Sequence, residues 1–264
     1  MASTLSFINQ SDEKAESHGT LWLVIPCFND ATRLARFLTP LCAALEHVPV
    51  RVLVQVVDDG SSPADRNSLS ELIRETQARF DFVRPVLYME RNEGKGAAIL
   101  HGWEAAQEGA DWLGFLDADG AVSADEVRRV LGLIESDSER GTAFFSSRIR
   151  MRGRTVDRSF KRHLTGRIFA SLIGALIDPQ IYDSQCGFKL IPKAAYQKMK
   201  PFLREKGFAF DVELLALLNH FKTPVLEVPV DWHDIPGSKV SLIRDSLRML
   251  RAAVSIRARM QTGF

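Results

Sequence analysis

Apolar residues along this chain come in short runs, each cut off by turn chemistry. Leu21 to Ile25, Arg51 to Val57, Phe82 to Tyr88, Trp112 to Leu116 and Thr142 to Ser146 read as five buried strands. Helical segments separate them. The turn Cys27 to Asp30 caps a helix reaching about His47, and Pro63 fits the first turn of a helix reaching about Phe80. Ala97 to about Gln107 is the third. Ser123 opens the fourth, with Glu126 completing a capping box. Strands alternating with helices of this length predict an α/β fold with a doubly wound, mostly parallel sheet. Further on, a short strand follows Lys189, an apolar helix runs from Phe208 to about Phe221, and Val225 to Val230 is a late strand. Ser241 to Met260 is helical by pattern.

Polar residues collect just past the strand ends: Asn29 and Asp30, Asp58 and Asp59, Asn92 and Lys95, Asp117 and Asp119. Strands of a parallel sheet share one carboxyl edge, where open α/β sheets bind ligands. The apolar run Trp112 to Leu116 ends abruptly in Asp117-Ala-Asp119-Gly120. Two carboxylates with one residue between them can share a hard divalent cation, and that cation can neutralise a diphosphate. Taken alone, an Asp-x-Asp triplet is ordinary loop composition, and Asp58-Asp59 before Gly60 is ordinary turn chemistry. Convergence on one crevice is what turns these residues into a candidate site. Gly94-Lys95-Gly96 lacks the upstream glycine and the Ser/Thr of a P-loop, which excludes that ATPase class, but flanking glycines let backbone and ammonium approach an anion.

Composition narrows the classes. The 264 residues carry a net charge of +1, so no polyelectrolyte partner is implied. Cys27, Cys42 and Cys186 lie far apart and form neither a disulfide framework nor a zinc spacing, which suits a reducing compartment. Residues 1–19 read as a disordered polar tail rather than a signal peptide or anchor. No apolar run approaches the ~20 residues that cross a bilayer.

The second half changes character. Arg148, Arg150, Arg152, Arg154, Arg158, Lys161, Arg162 and Arg167 face a single acid, Asp157, and lead into an apolar stretch, Ile168 to Ile177. A basic collar beside an apolar segment suits an anionic amphiphile. Without aromatic interleaving it does not suit a nucleic acid. Asp211 sits where a helix N-terminus favours a negative charge, and Cys186 reads as a small packed hydrophobe. In the last helix Leu242, Ile243, Leu247, Leu250 and Val254 hold one face, flanked by Arg244, Arg248, Arg251, Arg257 and Arg259. Such a helix either lies on a membrane surface or docks on its own domain.

Ile25-Pro-Cys-Phe-Asn-Asp30, Val56-Val-Asp-Asp-Gly-Ser61, Asn92-x-Gly-Lys-Gly96 and Asp117-Ala-Asp119 occur in order. Together they resemble the nucleotide-sugar half of an inverting family 2 glycosyltransferase of GT-A fold. Asp117-Ala-Asp-Gly-Ala121, Ser147-Arg148, Asp183-Ser-Gln-Cys-Gly-Phe-Lys-Leu190, Ala209-Phe-Asp-Val-Glu-Leu-Leu215, Trp232 and Gly237-Ser-Lys239 resemble dolichyl-phosphate β-glucosyltransferases in particular. The resemblance covers about residues 20 to 260. It implies a tail (1–19), a GT-A domain (20–240, with a nucleotide half to 146 and an acceptor half from 147) and a basic amphipathic helix (241–264).

Carried onto this sequence, the resemblance implies that Pro26, Asn29 and Asp58 or Asp59 hold the uridine, with Lys95 and Asp117 as further nucleotide contacts. Asp119 is then the main ligand, beside Asp117, of Mg²⁺ or Mn²⁺. Arg148 and Lys239 serve the leaving diphosphate or the acceptor phosphate. Gln185, Asp183 and Trp232 line the sugar and acceptor pocket, and Asp211 falls where relatives with hydroxyl acceptors place a catalytic base. Mannosyl-phosphate lipid synthases carry a polar residue where this chain has Ala121, which points from GDP-mannose towards UDP-glucose. Glu93 replaces a basic or neutral residue beside Lys95. The eukaryotic glucosyl enzymes begin with a membrane-spanning helix, in place of which the basic collar and last helix would attach this chain to a membrane.

The expected activity is metal-dependent, inverting hexosyl transfer from UDP-glucose to a polyprenyl phosphate or similar lipid-linked acceptor. The expected location is cytoplasmic, peripheral on the cytoplasmic membrane face. The same donor chemistry onto a hydroxyl with Asp211 as base, a nucleotidyltransferase, and a non-catalytic nucleotide-sugar or lipid-binding protein are the alternatives.

Overall fold

The computed structural model describes residues 19–106, 109–136, 141–149, 155–157, 181–235 and 242–262. Most of the expected tail, the cations from Arg150 to Arg154 and from Arg158 to Arg167, the apolar stretch Ile168 to Ile177, and Lys239 lie outside them.

Strand β1 (Thr20–Cys27) is central. It pairs in parallel with β2 (Arg51–Asp58) on one side and β4 (Trp112–Leu116) on the other. Strand β3 (Leu87–Tyr88) extends β2, and β7 (Phe188–Pro192) joins β4 to β5 (Ala143–Ser147), which pairs with β8 (Val225–Pro229). The sheet order is β3-β2-β1-β4-β7-β5-β8. Among the described strands only β7 runs antiparallel within it, so the α/β, mostly parallel prediction holds with one reversed strand. A two-stranded sheet of β6 (Val156–Asp157) and β9 (Trp232–His233) lies apart.

Successive strand residues point to opposite faces, and both faces are covered. Leu21, Leu23 and Ile25 meet Leu34, Leu38 and Leu41 of helix α1 (Ala31–Leu45), with helices α2 (Pro63–Gln77) and α4 (Ala124–Ser136) on the same side. Trp22, Val24 and Phe115 meet α3 (Lys95–Glu104), α5 (Lys193–Met199) and α6 (Phe210–His220) on the other. Trp103 ties that layer together. Its ring lies 5.3 Å from Tyr196 and 5.7 Å from Phe210, and its Nε1 donates to Gly114 O at 3.0 Å. Truncating so buried an indole to alanine typically costs about 3–5 kcal/mol. Trp103 thereby fixes the start of α6, one residue from Asp211, against the middle of β4.

Four local readings need correction or refinement. The third strand is not continuous: Val54 N–H and O pair with Phe82 O and Arg84 N–H, and pairing resumes only at Leu87. Pro85 has no N–H for the ladder, and its carbonyl is taken by Gln55 Nε2 at 2.7 Å. The third helix begins two residues earlier than expected, at Lys95, and ends at Glu104. Asp30 stands at the N-cap of helix α1 as expected but gives no side-chain cap bond, because its carboxylate pairs bidentately with Arg33. Asp65 of α2 instead accepts Asp30 N–H and Ala31 N–H at 3.1 and 3.2 Å. The last helix, α7 (Leu242–Thr262), docks through Met249, Ala253 and Ile256, whereas Val254 of the expected face is exposed. Ala253 and Ile256 cluster with Val212 and Ala216 of α6, where small residues permit close approach.

Candidate active site

The carboxyl ends of β1, β2, β4 and β5 open on one edge of the sheet. Because β7 is reversed, the segment leading into it, Cys186-Gly187, lies at the same edge. Gly187 O accepts Asp117 N–H at 2.8 Å, and a Cβ on Gly187 would overlap the Asp117 carboxylate.

The loops after β1, β2 and β3 are pinned to one another. Asn29 adopts φ +48°, a left-handed conformation that asparagine tolerates better than most residues. Its N–H donates to Ser61 Oγ, and its Oδ1 accepts Ser62 N–H, both at 2.8 Å. Asp58 is fully buried and accepts Ser61 N–H and Arg66 Nε. Asp59 accepts Glu93 N–H at 2.7 Å, Gly94 N–H at 2.9 Å and Asn92 Nδ2 at 2.9 Å. Burial raises its carboxyl above the ordinary value, against those two backbone bonds. Asp58 and Asp59 therefore hold the neighbouring loops in place through hydrogen bonds of their own. Pro26 is half-buried at the end of β1, one residue before Cys27 pairs in register with Asp58.

The glycines around Lys95 make room for a neighbouring segment of the chain. Gly94 has φ +109°, and a Cβ there would stand 2.6 Å from Lys206 O; one on Gly96 would stand 2.6 Å from Phe210 Cβ. The room they leave is filled by residues 205–210. Glu93 turns to Lys206 at 2.6 Å, so its charge is matched away from Lys95.

Lys95 Nζ lies 2.8 Å from Asp117 Oδ1 and 3.5 Å from Asp211 Oδ2. Burial would lower this ammonium, but the two carboxylates outweigh it and raise it above the ordinary lysine value. Asp211 Oδ1 lies 2.5 Å from Lys189 Nζ, which also donates to Cys186 O at 2.6 Å. Register explains the placement: Lys189 stands opposite Phe115 of β4 and Phe145 of β5. Residues opposite one another share a face of the sheet, and Nζ lies 5.1 and 5.0 Å from the two ring centres. Lys189, Asp211, Lys95 and Asp117 thus form a line of alternating charges from the core to the crevice. Burial pushes the neighbouring Cys186 thiol up to about 11, as befits a packed rather than nucleophilic side chain.

Asp119 follows at the turn. Burial, then the charge of Asp117, raises its carboxyl, while Ala121 N–H, Arg33 and Lys95 oppose the rise. Two oxygen-donor groups that repel across a crevice fit a hard cation. Among the described residues no cluster of three or more His, Cys, Asp or Glu side chains would hold an ion alone. Mg²⁺ characteristically binds through one or two carboxylates and takes its other oxygens from phosphates and water, so the donor set fits.

A second group lies at the end of β5. Arg148 donates through Nε and Nη2 to Asp183 at 2.6 and 2.7 Å, and its backbone N–H to the same carboxylate at 3.0 Å. Its guanidinium carbon lies 5.7 Å from the Trp232 ring centre. Gln185 N–H donates to Asp183 at 3.1 Å, and Gln185 Nε2 to Phe208 O at 3.4 Å. The predicted acceptor residues Arg148, Asp183, Gln185 and Trp232 are thus brought together.

Sequence reasoning missed three contributors. Lys189 carried a signal, a lone ammonium in the apolar run Phe188 to Ile191. Arg33, with one Nη buried without a hydrogen-bond partner and in the field of Asp119, resembled any helix arginine. Glu227 of β8 accepts Tyr182 N–H and Asp183 N–H, a contact between segments 44 and 45 residues apart that no local pattern reveals.

A doubly wound sheet with paired carboxylates at its carboxyl edge is the GT-A arrangement. The crystal structure of glucosyl-3-phosphoglycerate synthase from Mycobacterium tuberculosis in complex with UDP superposes at TM-score 0.66, with 15% identity over 97% of this chain and 87% of that one. Mannosyl-3-phosphoglycerate synthase from Rubrobacter xylanophilus gives 0.63, with 17% identity over 93% of this chain and 75% of that one. In sequence, residues 22–200 match glycosyl transferase family 2. The dolichyl-phosphate beta-glucosyltransferase of Saccharomyces cerevisiae is 30% identical over 94% of this chain and 77% of its own length. The human enzyme of that name is 30% identical over 97% and 83%. The chain belongs to glycosyl transferase family 2 and is a hexosyltransferase of GT-A fold.

Proposed function

We propose that this chain transfers glucose from UDP-glucose, with inversion, to a polyprenyl phosphate or similar lipid-linked phosphate. The observation that carries the donor half is the meeting of Asp117, Asp119 and Lys95 at the end of β4. The acceptor half draws on the sequence relatives, whose names specify a dolichyl phosphate.

Asp117 and Asp119 would hold Mg²⁺ or Mn²⁺, which supplies Lewis-acid stabilisation of the diphosphate when bound. Lys95, buried and kept charged by its carboxylates, adds a fixed positive charge at the same place. Preorganised charge facing a developing anion is usually the largest catalytic contribution. The loops around Asn29, Asp58 and Asp59 would seat the uridine, with Pro26 beneath it. Arg148, oriented by Asp183 against Trp232, would face the acceptor phosphate or the leaving diphosphate, with Gln185 beside it and Lys239 as a further cation. An acceptor phosphate oxygen forms the new bond to C1 as the bond from C1 to the β-phosphate oxygen breaks. The electron pair leaves on UDP, and no proton is transferred. Helix α7 docks one stripe on α6 while Arg248, Arg251, Val254 and Arg257 stay exposed, which supports contact with an anionic membrane surface. A peripheral site on the cytoplasmic membrane face follows from this reading.

The test is nucleoside-diphosphate release from a panel of UDP- and GDP-sugars, with Mg²⁺, Mn²⁺ or a chelator, with and without polyprenyl phosphate. Release strongest with UDP-glucose and dependent on both metal and lipid phosphate is expected. Release indifferent to the lipid would overturn the acceptor.

A further inference from the structure

We propose that Glu213 is a positioning residue for the donor site: it holds residues 204–208 against the start of helix α3 and so fixes Lys95 beside Asp117. The inference rests on the donor half of the reading above and adds to it a residue outside the crevice.

Helix α3 begins at Lys95, and the first N–H groups of a helix have no partners within it. A side chain at the N-cap usually supplies one, but that position is Gly94, which has none to offer. Lys206 O takes over, accepting Ala97 N–H at 2.9 Å. The glycines make room for this, because a Cβ on Gly94 would stand 2.6 Å from Lys206 O and one on Gly96 2.7 Å from Glu205 O. A carbonyl from a distant segment thus caps the helix whose first residue carries the ammonium facing Asp117.

That segment lies between a short helical turn, Lys200–Phe202, and helix α6, so its own backbone does not fix it. Glu213 does. Its side chain is fully buried, and Oε2 accepts Arg204 N–H at 2.9 Å and Glu205 N–H at 2.8 Å. Hydrogen bonds to an ionised group are the stronger kind and set direction as well as distance. Arg259 of α7 lies 2.7 Å from the other oxygen, so the carboxylate is held from both sides. The pair of Lys206 with Glu93 also touches the segment, but it is exposed, and exposed pairs contribute little. Contact therefore runs from α7 through Glu213 and Lys206 O to Lys95.

The experiment compares Glu213→Met, Glu213→Gln and Glu213→Asp with the wild type, each alone and combined with Lys95→Met. Donor kinetics use UDP-glucose, Mg²⁺ and polyprenyl phosphate, and kcat/KM is expressed per folded molecule. Amide exchange at Ala97 is followed by NMR relative to Val24 in the core strand β1, so that a general loss of stability does not count. Glu213→Met is expected to lose about 30-fold in kcat/KM for the donor, as befits buried N–H groups left without an acceptor. Ala97 exchange should quicken at least about tenfold over Val24, the mark of a local opening. Glu213→Gln keeps an oxygen for the two N–H groups and is expected to retain at least about a third of the wild-type kcat/KM. In the Lys95→Met background, Glu213→Met should cost less than about threefold, because the residue it positions is gone.

A further loss of about 30-fold in that background would show that Glu213 acts independently of Lys95 and overturn the inference. Unchanged relative exchange at Ala97 in Glu213→Met would overturn it too. So would Glu213→Gln as damaging as Glu213→Met, since the loss would then belong to the charge facing Arg259. If Glu213→Met does not fold, Glu213→Asp decides by the same criteria, because it keeps the charge but is too short to hold both N–H groups. If the wild type releases no UDP, the donor reading falls, and relative exchange at Ala97 alone decides whether Glu213 holds the start of α3.

Discussion

Lys95 Nζ lies 2.8 Å from Asp117 Oδ1, so the cation best placed to meet a diphosphate is bound to one of the two carboxylates best placed to meet a metal ion. The ammonium and a divalent cation compete for the same oxygen. Lys95→Met is therefore expected to bind Mn²⁺ about 5- to 10-fold more tightly, since opposite charges a few ångströms apart interact strongly away from bulk water. The same change removes the charge proposed to face the leaving group, so kcat/KM for the sugar nucleotide is expected to fall about 100-fold, or about 2.7 kcal/mol. Mn²⁺ titration beside steady-state kinetics checks both. Weaker Mn²⁺ binding in the variant contradicts the competition.

Gly187 lies against Asp117 with no room for a side chain. Gly187→Ala must displace that carboxylate or the backbone before β7. The expected result is a loss of turnover of about 100-fold or more with a modest loss of stability, about 1–3 kcal/mol, as for other overpacked sites. Thermal melts and donor-dependent turnover separate the two effects. Wild-type turnover would mean that the position of Asp117 is immaterial.

Arg148 grips Asp183 with two side-chain bonds, a planar geometry that lysine cannot reproduce. Arg148→Lys is expected to raise the KM for a lipid phosphate about tenfold while altering the KM for the donor less. Initial-rate measurements against each substrate check this. A change confined to the donor would place Arg148 on the diphosphate instead.

How far the sequence was legible depends on the distance over which each contact is made. The run Trp112 to Leu116 ending in Asp117-Ala-Asp119 announced both a strand and a candidate site at its end, because a buried strand cannot hold free carboxylates cheaply. Asn29, Asp58 and Asp59 were likewise visible as turn residues, but not their pinning of neighbouring loops, which joins segments about 30 residues apart. The reversal of β7 was hidden because its partners, β4 and β5, precede it by dozens of residues. Lys189 was visible as a letter in a motif, yet its importance comes from lying opposite Phe115 and Phe145 in a register that local pattern does not specify. The docked face of α7 was misjudged because hydrophobicity favoured Leu250 and Val254, while packing on Ala216 selected the smaller Ala253.

The docking of α7 has an electrostatic latch. Arg259 lies 2.7 Å from fully buried Glu213 and 3.5 Å from Glu205. Burial and the charge of Glu213 raise the Glu205 carboxyl, against the pull of Arg259. A carboxyl raised in the folded state binds its proton more tightly there than in the unfolded chain, so ionising it costs stability as pH rises through the shifted value. Arg259→Met deepens that cost. It is expected to lose about 3–5 kcal/mol at neutral pH, as for other broken buried pairs, and the deficit should shrink as pH falls through the carboxylate range. Urea unfolding at several pH values checks it, and a deficit independent of pH would assign the loss to packing alone.

The central claim is that a sugar passes to a phosphate oxygen with inversion. It is tested most directly by supplying UDP-glucose labelled with ¹³C at C1, together with polyprenyl phosphate and Mg²⁺, and recording the product by NMR. The account predicts a β-configured C1 carrying coupling to ³¹P, formed at the same rate as UDP. Label in a glycoside without phosphorus coupling, or an α-configured C1, would contradict it.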